Sequence, residues 1–292
     1  MVSETSYVVR SIPLIVDFHT HIYPPWLRPR REEYLGRDAT FGELFASPNA
    51  RMATAERLIR RMDEDGVDLS VVMGVGWTDI ELARAANEYL IEAVRKYPDR
   101  LVGLAGVNPA WGQMAVEEVQ RCAESGLRGI GELHPDTQRF DLSDLETMAP
   151  LMEVVREYGL IVTAHSSEPV GHEYAGKGKT HPEVLWRFIR NFPDASIVCA
   201  HWGGGLPFYG LMSEVKERLC GVYFDTAATT LLYDARIFET VSSLVGPEQV
   251  LMGSDYPLVR AHRVIREVES SGLPRSAKDM VLGENAARLL GL

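Results

Sequence analysis

Two imidazoles stand two residues apart at the end of a short apolar run, His19 and His21 in VDFHTH. In an extended strand, residues at that spacing project from the same face. Side by side in an interior, both rings need partners, and a divalent metal satisfies both. The same kind of residue recurs further along. Glu132 sits in GIGEL, His165 closes LIVTAH, His201 closes SIVCAH and Asp255 follows LMGS. Histidine with carboxylates suits zinc, manganese or iron(II). The six residues His19, His21, Glu132, His165, His201 and Asp255 therefore predict a metal centre.

They can meet only if the strands carrying them run parallel and end on one rim. Eight short β-branched runs are read as strands: 14–18, 69–75, 101–107, 127–133, 160–165, 196–201, 222–227 and 249–254. Between them lie stretches such as ATAERLIRRMDEDG and DLETMAPLMEVVREYG, with apolar residues at three- and four-residue intervals. That is the pattern of amphipathic helices covering a sheet. Strand–helix alternation implies parallel strands, because each crossover has helical length. Eight such units predict an α/β fold, a single-domain (β/α)8 TIM barrel over residues 1–292. A doubly wound open sheet is the architectural alternative. Residues 23–51, rich in proline, arginine and aromatics, follow the first strand directly. Barrel active sites are built from loops after strands, so this insertion is expected to cap the pocket. Trp26, Trp77 and Trp202 also follow strands, where they could wall a planar substrate or simply pack loops.

The formal net charge is −11, with a sequence pI of about 5.3. An acidic chain of this kind is not expected to bind nucleic acid or an anionic membrane. The partner expected is a small-molecule substrate. Cys122, Cys199 and Cys220 have no paired spacing and read as small buried hydrophobes in a reduced, cytoplasmic compartment. Asp17 interrupts the first apolar run too early for a secretory or membrane-spanning segment.

The segments VDFHTHIYPP, GIGELHP, VTAHS, CAHWGG, GSDYP and the closing ENAARLLGL resemble the amidohydrolase superfamily in its amidohydrolase-2 branch. The resemblance runs from the first strand to the last helix. It implies a (β/α)8 barrel with one or two divalent metals, zinc first and manganese second. The activities it implies are hydrolysis of lactones and amides, or non-oxidative decarboxylation and hydration of aromatic or unsaturated acids. It also makes a homodimer or homotetramer plausible. By the same resemblance, His19, His21 and His165 match metal ligands. His201 matches a residue that either ligates or activates water, and Asp255 one that binds metal and shuttles a proton. Glu132 departs from the pattern, standing where many two-metal members carry a carboxylated lysine. It could ligate a second ion or pair with a nearby cation such as Arg128.

Asp17 and Glu132 tilt the expectation toward a metal-dependent hydrolase of a lactone, ester or amide. A bound cation would lower the pKa of water from about 15.7 toward ~7, with Asp255 as proton acceptor and donor and His201 polarising the carbonyl. The alternative is a metal-dependent decarboxylase or hydro-lyase of an aromatic or unsaturated carboxylic acid. A non-catalytic metal-binding protein comes third, since structural zinc sites are thiolate-rich and this set has no cysteine. Four further residues carry less weight. His134 reads as a rim or supporting residue, His172 and His181 as loop residues, and His262 as a surface residue. Gly203, Gly204 and Gly205 read as a tight turn rather than a phosphate cradle.

Overall fold

The computed structural model describes residues 14–292, so the first 13 residues of the expected domain lie outside the described range. Eight strands follow one another around a single sheet in sequence order. They are β1 (Val16–His21), β2 (Leu69–Met73), β3 (Leu101–Ala105), β4 (Gly129–Leu133), β5 (Ile161–Ala164), β6 (Ser196–Cys199), β7 (Tyr223–Asp225) and β8 (Val250–Leu251). Every neighbouring pair is parallel. The sheet closes where the chain beyond β8 meets β1: Phe18 N–H donates to Met252 O, His21 N–H to Tyr256 O and Asp255 N–H to His19 O. The structure is the expected (β/α)8 barrel.

Amphipathic helices join the strands, the longest being Ile80–Lys96 and Leu145–Tyr158. Gly66 and Gly159 end their helices in the left-handed conformation, which glycine adopts without steric cost. Alternation splits the strand side chains into two layers. Val16, Phe18, Val71, Met73, Leu104, Ile161, Val198 and Leu251 fill the barrel interior. Val72, Ala105, Ile130, Val162 and Phe224 pack outward among helix residues such as Leu90, Leu151 and Phe188. Interior packing of this kind makes the barrel a solid core, leaving chemistry to the rim at the strands' C-terminal ends.

Two register shifts break the alternation. Along β1, Asp17 pairs with Ser70 and Thr20 with Val72, three steps against two. Along β4, Ile130 pairs with Val162 and Leu133 with Ala164, again three against two. An extra residue in one strand re-aims the side chains beyond it. Without the first shift, His19 and His21 would face the helices and Phe18 would keep the inward phase. Without the second, Glu132 would share the outward face of Ile130. Asp17 therefore does not share the face of His19, contrary to strict alternation.

The insertion at 23–51 contains the helices Arg31–Leu35 and Ala39–Phe45. Phe41 and Phe45 pack with Tyr23 and Trp77. Thr40 reaches Gly76 O, and Glu43 accepts from Gly176 N–H at 3.0 Å. It thus sits against the loops after β2 and β5. No helix among the described residues is long and apolar enough to cross a membrane.

Candidate metal centre

The six predicted residues leave the strands at one rim. His19 and His21 end β1, and Glu132 lies in β4. His165 follows β5 directly, while His201 and Asp255 lie in turns beyond β6 and β8. Of the last two, His201 departs from its expected place at the end of a strand. Both have left-handed backbones, with φ 52° at His201 and 65° at Asp255. Left-handed residues other than glycine are uncommon and need support from their surroundings. At His201 the support is Asp225, whose Oδ1 accepts from the His201 N–H at 3.0 Å.

The hydrogen bonds assign each ring its tautomer. His19 Nδ1–H donates to Asp225 Oδ2 at 2.8 Å, His21 Nδ1–H to Met73 O at 3.3 Å and His201 Nδ1–H to Ala227 O at 3.1 Å. These partners only accept, so in each neutral ring Nε2 carries the lone pair, and these nitrogens turn toward one another and Glu132. His19 Nε2 and His21 Nε2 are 3.1 Å apart. Glu132 Oε2 lies 3.6 Å from His19 Nε2, and Glu132 Oε1 3.3 Å from His201 Nε2. Asp255 Oδ1 lies 3.5 Å from His21 Nε2. His165 Nδ1–H donates to Glu132 Oε1 at 2.8 Å, and its Nε2 accepts from Ser167 Oγ at 3.2 Å.

Facing lone pairs at such distances repel unless a proton or a cation lies between them. Burial works against the proton: His19 is wholly buried, and His21, Glu132, His165 and His201 keep only 5–7% exposure. A divalent cation satisfies the nitrogens and carboxylates together, so the residues present fit a metal. Two groups have the required proximity, His19–His21–Glu132 and Glu132–His165–His201, with Glu132 common to both. Asp255 stands at the edge, its side chain 16% exposed.

The electrostatics have the same sense. Burial lowers the pKa of His19, but Asp225 and Glu132 outweigh it and hold the ring well above the ordinary histidine value. Burial likewise opposes the charged form of His201, yet Glu132 and Asp255 raise it to about 9. Burial would raise Glu132, but His165 and His19 bring it well below the usual carboxylate range. Asp255 is lowered against burial by His21, His19 and His201. The cluster draws positive charge into a buried space.

Around it, supporting residues take definite places. Asp17 accepts from Ser254 N–H at 2.8 Å and Ser254 Oγ–H at 2.5 Å, tying β1 to the turn that carries Asp255. Burial raises Asp17 to about 7 despite those bonds. His134 stacks on His165 with ring centroids 4.2 Å apart, and its Nε2 pairs with Gly176 O. Burial and the neighbouring His165 lower it to about 4, so it remains neutral. His181 Nδ1 pairs with Ser167 O, His172 is exposed and His262 lies beside Asp65.

Several expectations are corrected here. Arg128 donates to Leu290 O and has no part in the centre; the partners of Glu132 are histidines. Trp202 is fully buried, donates to Thr229 Oγ1 at 2.8 Å and packs edge-on against Phe238. Trp77 is 1% exposed among the insertion's aromatics. Neither ring can wall a substrate. Trp26 is partly buried against Tyr34 and Arg30. One residue escaped the sequence reading altogether: Asp225, which orients both His19 and His201. Its signal was its position, an acid at the end of VYFD like those in the fourth and eighth units.

The described architecture is shared widely. A family model for amidohydrolases matches residues 16–292. The 2-amino-3-carboxymuconate-6-semialdehyde decarboxylase of Dictyostelium discoideum is 23% identical over 96% of this chain and 92% of its own length. The gamma-resorcylate decarboxylase of Polaromonas is 20% identical over 81% of this chain and 87% of its own. Among solved structures, 5-carboxyvanillate decarboxylase from Novosphingobium aromaticivorans, complexed with manganese, superposes with a TM-score of 0.80 at 20% identity, covering 96% of each chain. These relatives overturn the expectation of lactone, ester or amide hydrolysis, for those matching along the chain are decarboxylases. This chain belongs to the amidohydrolase family and is one of its enzymes.

Proposed function

We propose that the chain is a metal-dependent decarboxylase of an aromatic or unsaturated carboxylic acid. The observation that carries this reading is the set of inward Nε2 lone pairs of His19, His21 and His201 around Glu132, in a chain whose full-length relatives are decarboxylases. His19, His21, Glu132 and Asp255 would hold the metal, with His165 at its second edge. Once bound, it supplies a positive charge that fixes the substrate's oxygens and offsets charge as the bond to carbon dioxide breaks. Manganese is favoured by the related structures crystallised with it.

The protein's own residues handle the proton. Loss of carbon dioxide leaves an electron pair on carbon, and one proton must arrive there for each molecule released. His201 places Nε2 3.3 Å from Glu132 Oε1 while its Nδ1–H donates to Ala227 O, and the charges of Glu132 and Asp255 favour its protonated form against burial. We assign His201 as the donor and Asp255 as the group that passes in its replacement. Burial excludes bulk water, which favours bond cleavage over hydrolytic side reactions.

The test is carbon dioxide release from a panel containing 2,6-dihydroxybenzoate, 5-carboxyvanillate and 2-amino-3-carboxymuconate semialdehyde. The manganese-loaded protein should release it from at least one and lose the activity on chelation. Release from none, with turnover of lactones instead, would overturn the proposal.

A further inference from the structure

The loop after β5 folds back over the centre. Three residues beyond His165 it places Glu168, next to Ser167, whose Oγ meets His165 Nε2. One carboxylate oxygen of Glu168 is engaged, accepting from the Tyr174 hydroxyl at 3.3 Å. The other, Oε1, is buried without a hydrogen-bond partner among the described residues. The Tyr233 hydroxyl, from the loop after β7, is also buried and unpartnered. It stands over the His201 turn, 3.9 Å from where a Cβ on Gly205 would lie. Burial first, and then the charge of Glu168, hold both phenols in their protonated form. Tyr233 is thus a neighbour of Glu168.

A buried acceptor left open is unfavourable, and the oxygen of an ionised group more so than a neutral one. Such atoms in native proteins are normally met by a partner, and this one belongs to the residue after Ser167, whose hydroxyl meets His165. Glu132 and Asp255 face histidines, whereas Glu168 faces the hydroxyls of Tyr174 and Tyr233.

We propose that Glu168 is a specificity-determining residue, its free Oε1 accepting a hydrogen bond from an amino or hydroxyl group on the substrate, apart from the carboxylate that is lost. The inference rests on the decarboxylase reading for its site and deepens it. A negative group at that place selects against a second carboxylate or nitro group, which would meet like charge or bare lone pairs. A methoxy group has no hydrogen to give and would leave Oε1 open. Tyr233 completes the subsite as a second donor toward an oxygen on the same substituent.

Manganese-loaded protein is titrated calorimetrically with hydroxy-, amino- and methoxybenzoates at each ring position, and carbon dioxide is followed in parallel samples. At least one hydroxy or amino isomer should bind roughly 10–100-fold tighter than its methoxy counterpart, the range of a hydrogen bond to a charged group. In Glu168→Gln, which preserves shape, that ratio should fall by about tenfold while methoxy binding is unchanged. The proposal is overturned if the ratio survives in the variant, if no isomer is preferred over its methoxy partner, or if none binds. A preference that collapses in the variant without any carbon dioxide release would sustain Glu168 and defeat the decarboxylase reading instead.

Discussion

Asp225 Oδ2 accepts a hydrogen bond of 2.8 Å from His19 Nδ1, fixing the ring so that Nε2 points to the centre. The other oxygen of Asp225 accepts from the backbone N–H groups of His201 and Ala227, both at 3.0 Å. One carboxylate thus sets a ligand's tautomer and holds the strained turn bearing His201.

The consequence is testable by Asp225→Asn. An amide turns one acceptor into a donor, which must then face one of three N–H groups. Manganese affinity should fall by about 10–100-fold, the usual effect of losing a partner behind a metal-bound histidine. Unchanged affinity in a direct metal titration would remove Asp225 from the account.

Asp255→Asn separates chemistry from folding. Asparagine tolerates the left-handed backbone at this position, where φ is 65°, about as well as aspartate does. The melting temperature should stay near that of the wild type, while kcat drops by a factor of ~100 or more with loss of proton transfer. Wild-type turnover in the variant would rule out the proposed role.

Gly204 tests the packing of the rim. Its φ is +56°, and a methyl group there would run into the Ser167 carbonyl, which is backbone and cannot swing aside. Gly204→Ala should destabilise the protein by about 1–3 kcal/mol, the range of other overpacked sites. For a chain of this size each kcal/mol lowers Tm by roughly 2–4 °C. A variant that melts with the wild type would show that the two loops can separate freely.

Glu118 gives the pH dependence. It is 1% exposed and accepts from Asn87 at 2.8 Å and from Arg121 at 2.9 and 3.0 Å. Burial raises its pKa, but Arg121 and Asn87 outweigh that and leave it below the ordinary 4.5. A depressed carboxylate stabilises the fold above its unfolded pKa, and the contribution disappears as pH falls through the folded value. Glu118→Gln should therefore melt earlier than the wild type at neutral pH, by about 1.5–3 kcal/mol in stability. The gap should close progressively below pH 4.5. A gap independent of pH would mean the charge on Glu118 contributes nothing.

Much of this was legible in residue type and spacing. The HxH pair and the acids and histidines at strand ends mark the rim because parallel strands of a barrel must finish together. The orientation of those side chains was not legible in the same way. His19, His21 and Glu132 reach the centre only through the register shifts in β1 and β4, and an extra residue in a strand leaves no periodic trace. His201 sits in a left-handed turn rather than on its strand, held by a residue 24 positions away. Trp202 illustrates the converse. Adjacent to His201 in sequence, it points into the core because the same turn rotates it toward Phe238. Asp17, two residues before His19, does not share its face but tethers Ser254, again because of the shift in β1. The reaction itself was misjudged for a related reason: Asp17 and Glu132 favour hydrolysis as residue types, but neither type distinguishes attack by water from loss of carbon dioxide.

The most direct measurement is a reaction in D2O with manganese-loaded protein and carboxyl-13C substrates from the decarboxylase panel, followed by NMR. Labelled carbon dioxide and bicarbonate should appear together with one deuterium at the carbon that carried the carboxylate, in equal amounts, and both should be lost when the metal is stripped. Label that stays on every substrate, or release that persists unchanged without metal, would contradict it.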